Sequence, residues 1–430
     1  MKRNILKSIA IILISWIIAF ISVMVVYMLP VEPMHIHAEE SLHIFVEEGV
    51  SPTLIPDFKS TYLDTYTDMT MLDMAIYDGS ESVLEKAMKG FRYEYKGMNI
   101  FESGIRYLQG EGGAESVSYA RYWHGWMVFL KPLLLFFNYA EIRMLNFVLQ
   151  TALTFLLFMK MLGDKYTKRY IIPFFISFMV IMPLSTSMSM GLAILYYVIL
   201  ISLLLFIHCF EWLNKNRCIF LFFMVVGLVT SFVDLVTYPL TTMGIMLIMW
   251  IILNHRYVKN YERKQLQYAF GYVISWCSGY LAMWLGKWLI SSVITDENVL
   301  KDAILMVLYR ASHGSAEGGS YIEIGIVDVI SRNIEVICNP IYVILFISAI
   351  LLAVCWKSRK EEEDYIVTKY EMGLLFIIGW FPIVWYIVIG NHSYVHYWMT
   401  YKSLSISTFA WGSLLLNCIQ MVKKRGRVKK

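Results

Sequence analysis

Asp64 and Asp68 stand four residues apart in Leu63-Asp64-Thr65-Tyr66-Thr67-Asp68-Met69-Thr70-Met71-Leu72-Asp73. A helix here puts both carboxylates on one face, with Leu63, Met71 and Leu72 in a stripe that suits a membrane side. Two acids held together near a low-dielectric surface raise each other's pKa. One then serves as a general base near neutral pH, or both hold a divalent cation. The plainer reading is a solvated helix face with one Asp as an N-cap.

A second set of residues suits an anion. Tyr119-Ala120-Arg121-Tyr122-Trp123-His124-Gly125 interleaves aromatics with Arg and His. Aromatic faces pack on apolar sugar faces, and a guanidinium makes paired bonds to phosphate. Arg121 and His124, three apart, share one face if this stretch is helical. Arg143 opens an apolar run, where a cation needs an anionic partner. An aromatic belt with Arg toward headgroups fits the same pattern. Asp234 lies between two apolar runs, with Pro239 one turn on, and must be paired or solvated. His392 and His396, with Lys402 six residues later, suit a metal or phosphate; hydrogen-bonded structural imidazoles are the plainer reading. His35, His37, Glu39, Glu40 and His43 form a weaker cation-binding pattern.

These residues must be positioned by a membrane bundle. Of 430 residues, 58% are hydrophobic and only 16% charged, with mean hydropathy +0.57; soluble domains carry about a quarter charged residues. The net charge of +4 comes with no basic helix and no zinc-finger spacing, so no nucleic-acid partner is expected. Cys209, Cys218, Cys277, Cys338, Cys355 and Cys418 lie in or beside apolar runs without a CxxC. They read as buried thiols rather than a disulfide framework or zinc site.

Apolar runs of membrane length fall near 8–29, 142–162, 170–184, 191–210, 218–233, 239–253, 266–290, 339–356, 371–388 and 403–421, about ten spans. The first follows Met1-Lys2-Arg3 like a signal peptide, but it is longer than an h-region and lacks a small-x-small cleavage site, so it reads as a retained span. Lys and Arg gather at alternate connections, among them Lys165/Lys168/Arg169, Lys215/Arg217, Arg256 to Lys264 and the tail from Lys423. That alternation puts both termini in the cytoplasm. The fold class is an all-α polytopic membrane protein. It divides into an N-terminal span (1–29), an extracytoplasmic, mostly helical loop (30–141) and a bundle of about nine spans (142–430) with a second outer loop at 291–338. Trp126 to Phe137 is apolar but too short to cross, so it reads as an interfacial or half-inserted helix. Ser312 to Ser320 reads as flexible.

This layout resembles the GT-C superfamily of polytopic glycosyltransferases. The resemblance rests on the single span before a long acidic outer loop, the half-helix Trp126-Met127-Val128-Phe129-Leu130-Lys131-Pro132-Leu133, and the Arg-led span Ile142-Arg143-Met144-Leu145-Asn146. Ser231-Phe232-Val233-Asp234-Leu235-Val236-Thr237-Tyr238-Pro239-Leu240 is also similar to a segment of bacterial surface-polysaccharide membrane proteins, including O-antigen-modifying glucosyltransferases. The resemblance implies a plasma-membrane enzyme that moves a sugar from a polyprenyl-phosphate carrier to a surface glycan or lipid acceptor on the outer face. It implies a base in the first loop, Asp64 or Asp68, with Glu40 as the substitute. It implies cations that hold the donor phosphate; the residues themselves point to Arg121, His124 and Arg143 for that contact, with Asp234, His392, His396 and Lys402 as further substrate or phosphate contacts, Lys402 or His396 closing the site, and room for a divalent cation. An O-antigen-type polymerase and a non-enzymatic glycan or lipid transporter fit the same layout.

Overall fold

The computed structural model describes residues 2–260, 264–315, 321–355 and 367–428. The chain begins with α1 (Lys2–Val26) and continues through α2 (Glu32–Glu40), α3 (Leu42–Glu48), α4 (Thr65–Ile76), α5 (Val83–Lys89), α6 (Ile100–Leu108) and α7 (Met127–Leu134). Next come α8 (Tyr139–Gly163), α9 (Ile171–Ile181), α10 (Pro183–Met188), α11 (Met190–Lys215), α12 (Ile219–Val233), α13 (Leu240–Asn254) and α14 (Gln265–Ile294). It ends with α15 (Val299–Arg310), α16 (Ile326–Glu335), α17 (Pro340–Cys355), α18 (Lys369–Ile378), α19 (Phe381–Val388), α20 (Gly390–Val395), α21 (Tyr397–Thr400) and α22 (Leu404–Val428). Polar residues set several starts. Ser82 with Glu85, Asn99 with Glu102, Asn138 with Glu141 and Thr368 with Glu371 form reciprocal caps at α5, α6, α8 and α18.

The architecture is that of an all-α membrane protein. Leu6–Val26, Tyr139–Gly163, Met190–Lys215, Lys369–Val388 and Tyr397–Met421 are long and apolar enough to cross a bilayer. The pair α16 and α17, bent by 78°, brings the total of such described segments to at most 6. The other expected spans are helical, yet several are short. α9 has 11 residues and stops where Met182 turns left-handed (φ 56) ahead of Pro183. α12 and α13 have 15 each, about 22 Å against a hydrocarbon core of about 30 Å. α1 leaves Ile9, Leu13, Ile17 and Ile21 exposed, the surface of a helix that meets lipid.

Two devices hold the bundle. α12 and α14 cross so closely that a Cβ on Gly227 would lie 2.2 Å from the Trp276 carbonyl oxygen, and one on Gly279 2.1 Å from that of Met224. Small residues permit such backbone contact between membrane helices. The second device is a set of buried lysines, each donating to carbonyls at the C-terminal end of another helix. Lys131 donates to Ala75 of α4 at 2.5 Å, Lys287 to Met88 of α5 at 2.8 Å, and Lys402 to Ile181 of α9 at 2.8 Å. The last turn of a helix leaves carbonyls unpaired and carries partial negative charge, so an ammonium satisfies both.

The first loop is continuous with the bundle. Met34, Phe45, Met69, Leu72 and Phe101 share one apolar cluster with Val23 of α1, Met127 of α7 and Ile142 of α8. A two-stranded antiparallel sheet, β1 (Arg92–Glu94) paired with β2 (Glu115–Val117) across α6, closes its far edge. α7 is a short helix of eight residues within the stretch Trp126 to Phe137, and Asn138 turns the chain into α8. In the second loop, β3 (Gly314–Ser315) pairs with β4 (Ile322–Glu323); of the stretch expected to be flexible, residues 316–320 lie outside the described residues. At the opposite end of the bundle Arg256 pairs with Asp164 and Glu211, and His255 with Glu371 at 2.8 Å. This ties the ends of α8, α11, α13 and α18 together.

Candidate active site

The start of α4 is docked on the start of α11. Asp64 is the N-cap of α4 and is 1% exposed. Its carboxylate accepts from the Thr67 backbone N–H (3.2 Å) and hydroxyl (2.8 Å), and its own N–H donates to Ser189 Oγ at 3.0 Å. Asp68, one turn on and fully buried, accepts from the N–H groups of Met190 and Gly191, both at 3.0 Å, and from the Tyr139 hydroxyl at 2.6 Å. It therefore supplies the anion that the N-terminus of α11 attracts. Gly191 permits this approach, since a Cβ there would come within 2.9 Å of Thr67 Cγ2.

The two acids face different surroundings. Asp68 is linked through Tyr139 to Arg143, whose guanidinium is held by both oxygens of Glu48 at 2.7 and 2.9 Å. Asp64 faces a cluster of polar side chains from later loops. Trp398 lies beside its carboxylate, and the charge of the Lys402 ammonium favours its ionised form. Trp398 lies 5.2 Å from His396, and His396 lies 4.7 Å from His392, ring centre to ring centre. His392 donates from Nε2 to the Val236 carbonyl at 2.7 Å, which fixes its tautomer. Val236 holds a left-handed conformation (φ 64) that a β-branched residue rarely adopts. The same turn curls round Asp234, which accepts from the Thr237 N–H and hydroxyl. Arg310 donates to Asn391 at 3.0 Å, beside His392. His396 Nδ1 has no hydrogen-bond partner among the described residues.

Burial governs the electrostatics. It pushes the Asp68 carboxyl up to about 7 against the opposing charge of Arg143, and Asp73 up to about 8. It raises Asp64 against its bonds from Thr67, and Asp234 to about 6. The same burial, aided by Arg310, lowers His392 to about 4 and His396 well below its ordinary value. The cluster thus sets neutral imidazoles near an acid that resists ionisation. Acids with raised pKa bind protons in the folded chain that the unfolded chain has already lost. Their stabilising contribution is present below about pH 4 and is lost as pH rises through about 6 to 8. Asp73→Asn removes one such acid, so the thermal midpoint of the wild type in nanodiscs, taken relative to that of Asp73→Asn, is expected to fall between about pH 5.5 and about pH 8.5. A difference that rises over that range contradicts the assignment.

Beside the α4–α11 contact opens an apolar groove of about 510 Å³. α7, α8, α11 and α12 line it, with Met71, Trp126 and Met190 at its loop end and Leu205 and Phe222 at its far end. Along α11 it runs from Met190 to Leu205, about 22 Å. Asp68 binds the N–H of Met190, whose side chain lines the loop end of the groove.

Several expected site residues lie elsewhere. Residues 121–124 form a turn rather than a helix, because His124 is left-handed (φ 52) and Gly125 packs on the Phe232 backbone. Arg121 pairs with Asp302 at 2.9 Å and stacks on Tyr119. His124 is buried and donates from Nε2 to the Tyr119 carbonyl. Arg143 is committed to Glu48, so these three residues share no partner and do not converge on one anion site. Lys402 caps α9 while reaching Asp64 by charge alone. Glu40 is exposed and offers its carbonyl to His43. His37 donates to the Leu134 carbonyl, and among the described residues no group of three or more His, Cys, Asp or Glu is placed to hold a metal. Sequence reasoning missed Trp398, Arg310 and Val236; the run His392 to Lys402 contained the one signal for Trp398. No protein-family model, curated protein or solved structure matches this chain.

Proposed function

We propose that this chain is a plasma-membrane glycosyltransferase that moves a sugar from a polyprenyl-phosphate donor to a surface glycan or lipid acceptor on the outer face. In this reading the chain has about ten spans with both termini in the cytoplasm. The observation that carries it is the long apolar groove whose loop end is lined by Met190, the residue whose N–H the buried Asp68 binds. A polyprenyl tail is a flexible hydrocarbon that suits such a groove, and its phosphate then lies at the groove mouth. Asp64 takes the proton of the acceptor hydroxyl as its oxygen bonds to the anomeric carbon. The bond from that carbon to the phosphate oxygen breaks, and the leaving phosphate keeps the electron pair. His396 offers a donor and Arg310 a charge for that oxygen, and His392, committed to Val236, positions His396. Asp68 is a positioning residue that holds the start of α11 against α4.

The test needs no knowledge of the sugar. Val229 lines the groove and is 42% exposed, so Val229→Trp fills it without entering the core. Mass spectrometry of lipids copurified in native nanodiscs is expected to find polyprenyl-phosphate species with the wild type and to lose them with Val229→Trp. Only bulk phospholipid in both samples contradicts the reading.

A further inference from the structure

The helix α15 is apolar on the wrong side for a water-exposed surface helix. Val299 and Ala303 face the protein and are buried. The opposite face carries Ile304, Leu305 and Leu308, at 48%, 57% and 63% exposure, with Val307 beside them at 48%. A solvated helix puts charge there, and a contiguous exposed apolar face marks a surface that is covered by something. The charges of α15 gather at its ends: Lys301 and Asp302 in the first turn, Arg310 in the last.

We infer that α15 lies in the outer leaflet at the membrane interface, and that lipid covers its Ile304–Leu305–Leu308 face. Continuity with a lipid-facing surface selects this occupant over a protein partner. α15 packs on α14, and the Leu300 N–H donates to Ser292 Oγ at 3.0 Å near the end of that helix. α14 itself exposes Leu281, Leu285, Leu289 and Val293 along the same half, so the apolar surface runs from one helix onto the other. The ends of α15 are fixed by polar contacts: Asp302 to Arg121 at one end and Arg310 to Asn391 at the other. Amphipathic helices seat at the interface in this manner, apolar face down and charges toward headgroups. One consequence links this helix to the polar cluster beside Asp64. The membrane-seated helix ends on Arg310 and so sets the depth at which that cation meets Asn391 and His392. The inference depends on the chain's being a membrane protein and is independent of glycosyl transfer.

The experiment places a spin label on single cysteines at Leu305 and Leu308 in nanodiscs, after the six native cysteines are replaced. Leu285→Cys serves as the lipid reference and Gln109→Cys, exposed in the first loop, as the water reference. Each variant is first shown to remain monodisperse. At both α15 positions, collision with oxygen is expected to exceed collision with a water-soluble nickel chelate, as at position 285. Accessibility like that at position 109 overturns the inference. Dipolar coupling between labels of two copies also overturns it, because α15 is then a dimer interface.

Discussion

Asn at position 64 is expected to lower turnover by about a hundredfold to ten-thousandfold, the usual contribution of a general base. The substitution is selective because Asn caps helices about as well as Asp. The Thr67 N–H keeps an acceptor, the contact to Ser189 uses the backbone, and α4 therefore keeps its start. Folded yield and thermal midpoint are expected to change little while the rate collapses. Asp68→Asn is expected to differ. It exchanges one acceptor oxygen for an amide against two N–H groups and the Tyr139 hydroxyl. A buried donor left without an acceptor costs about 1–3 kcal/mol, so this variant loses stability first. Equal turnover of Asp64→Asn and wild type, at equal folded protein, would remove Asp64 from the chemistry.

The largest effect on folding is expected at the α12–α14 crossing. Gly279→Val forces a side chain into the backbone of Met224, where even a Cβ has only 2.1 Å. A carbonyl cannot turn aside as a flexible side chain does, so the helices must separate. Overpacking costs typically about 1–3 kcal/mol and more where backbone must move, against a total stability of about 5–15 kcal/mol. Most of the folded protein is expected to disappear from the membrane fraction. Gly271→Val on the same helix is the control, because nothing lies within 4 Å of a Cβ there. Equal folded yields for the two variants would show that the helices are not packed as described.

The sequence was readable where local rules decide structure. Hydropathy located α1, α8, α11 and α22 but not α15, and the length of Trp126 to Phe137 pointed to a helix as short as α7. The caps at Ser82, Asn99, Asn138 and Thr368 each carry a Glu three residues later and were open to the same reading. Span length was less readable, because Met182 breaks α9 through a backbone conformation that no residue type announces. The site was half readable. Asp64 and Asp68 stand at one junction as their spacing suggested, yet their carboxylates bind different partners because one caps α4 and the other caps α11. Arg143 shows where such reasoning stops. A cation at the mouth of a span needs an anion, but the partner is Glu48, 95 positions away, on a helix whose docking no local pattern encodes. The turn at Arg121 to His124 likewise follows from the close approach of Gly125 to Phe232, a contact made only in the folded bundle.

The most direct measurement is donor consumption in proteoliposomes. Purified protein is incubated with the total polyprenyl-linked lipid extracted from the source cell envelope, and release of free polyprenyl monophosphate is followed by mass spectrometry. The account predicts steady release by the wild type and a loss of about a hundredfold or more in Asp64→Asn, with the sugar recovered on an acceptor. No release by folded wild-type protein that still retains the lipid in its groove would contradict the account, and would leave a protein that binds such lipids without transferring their sugar.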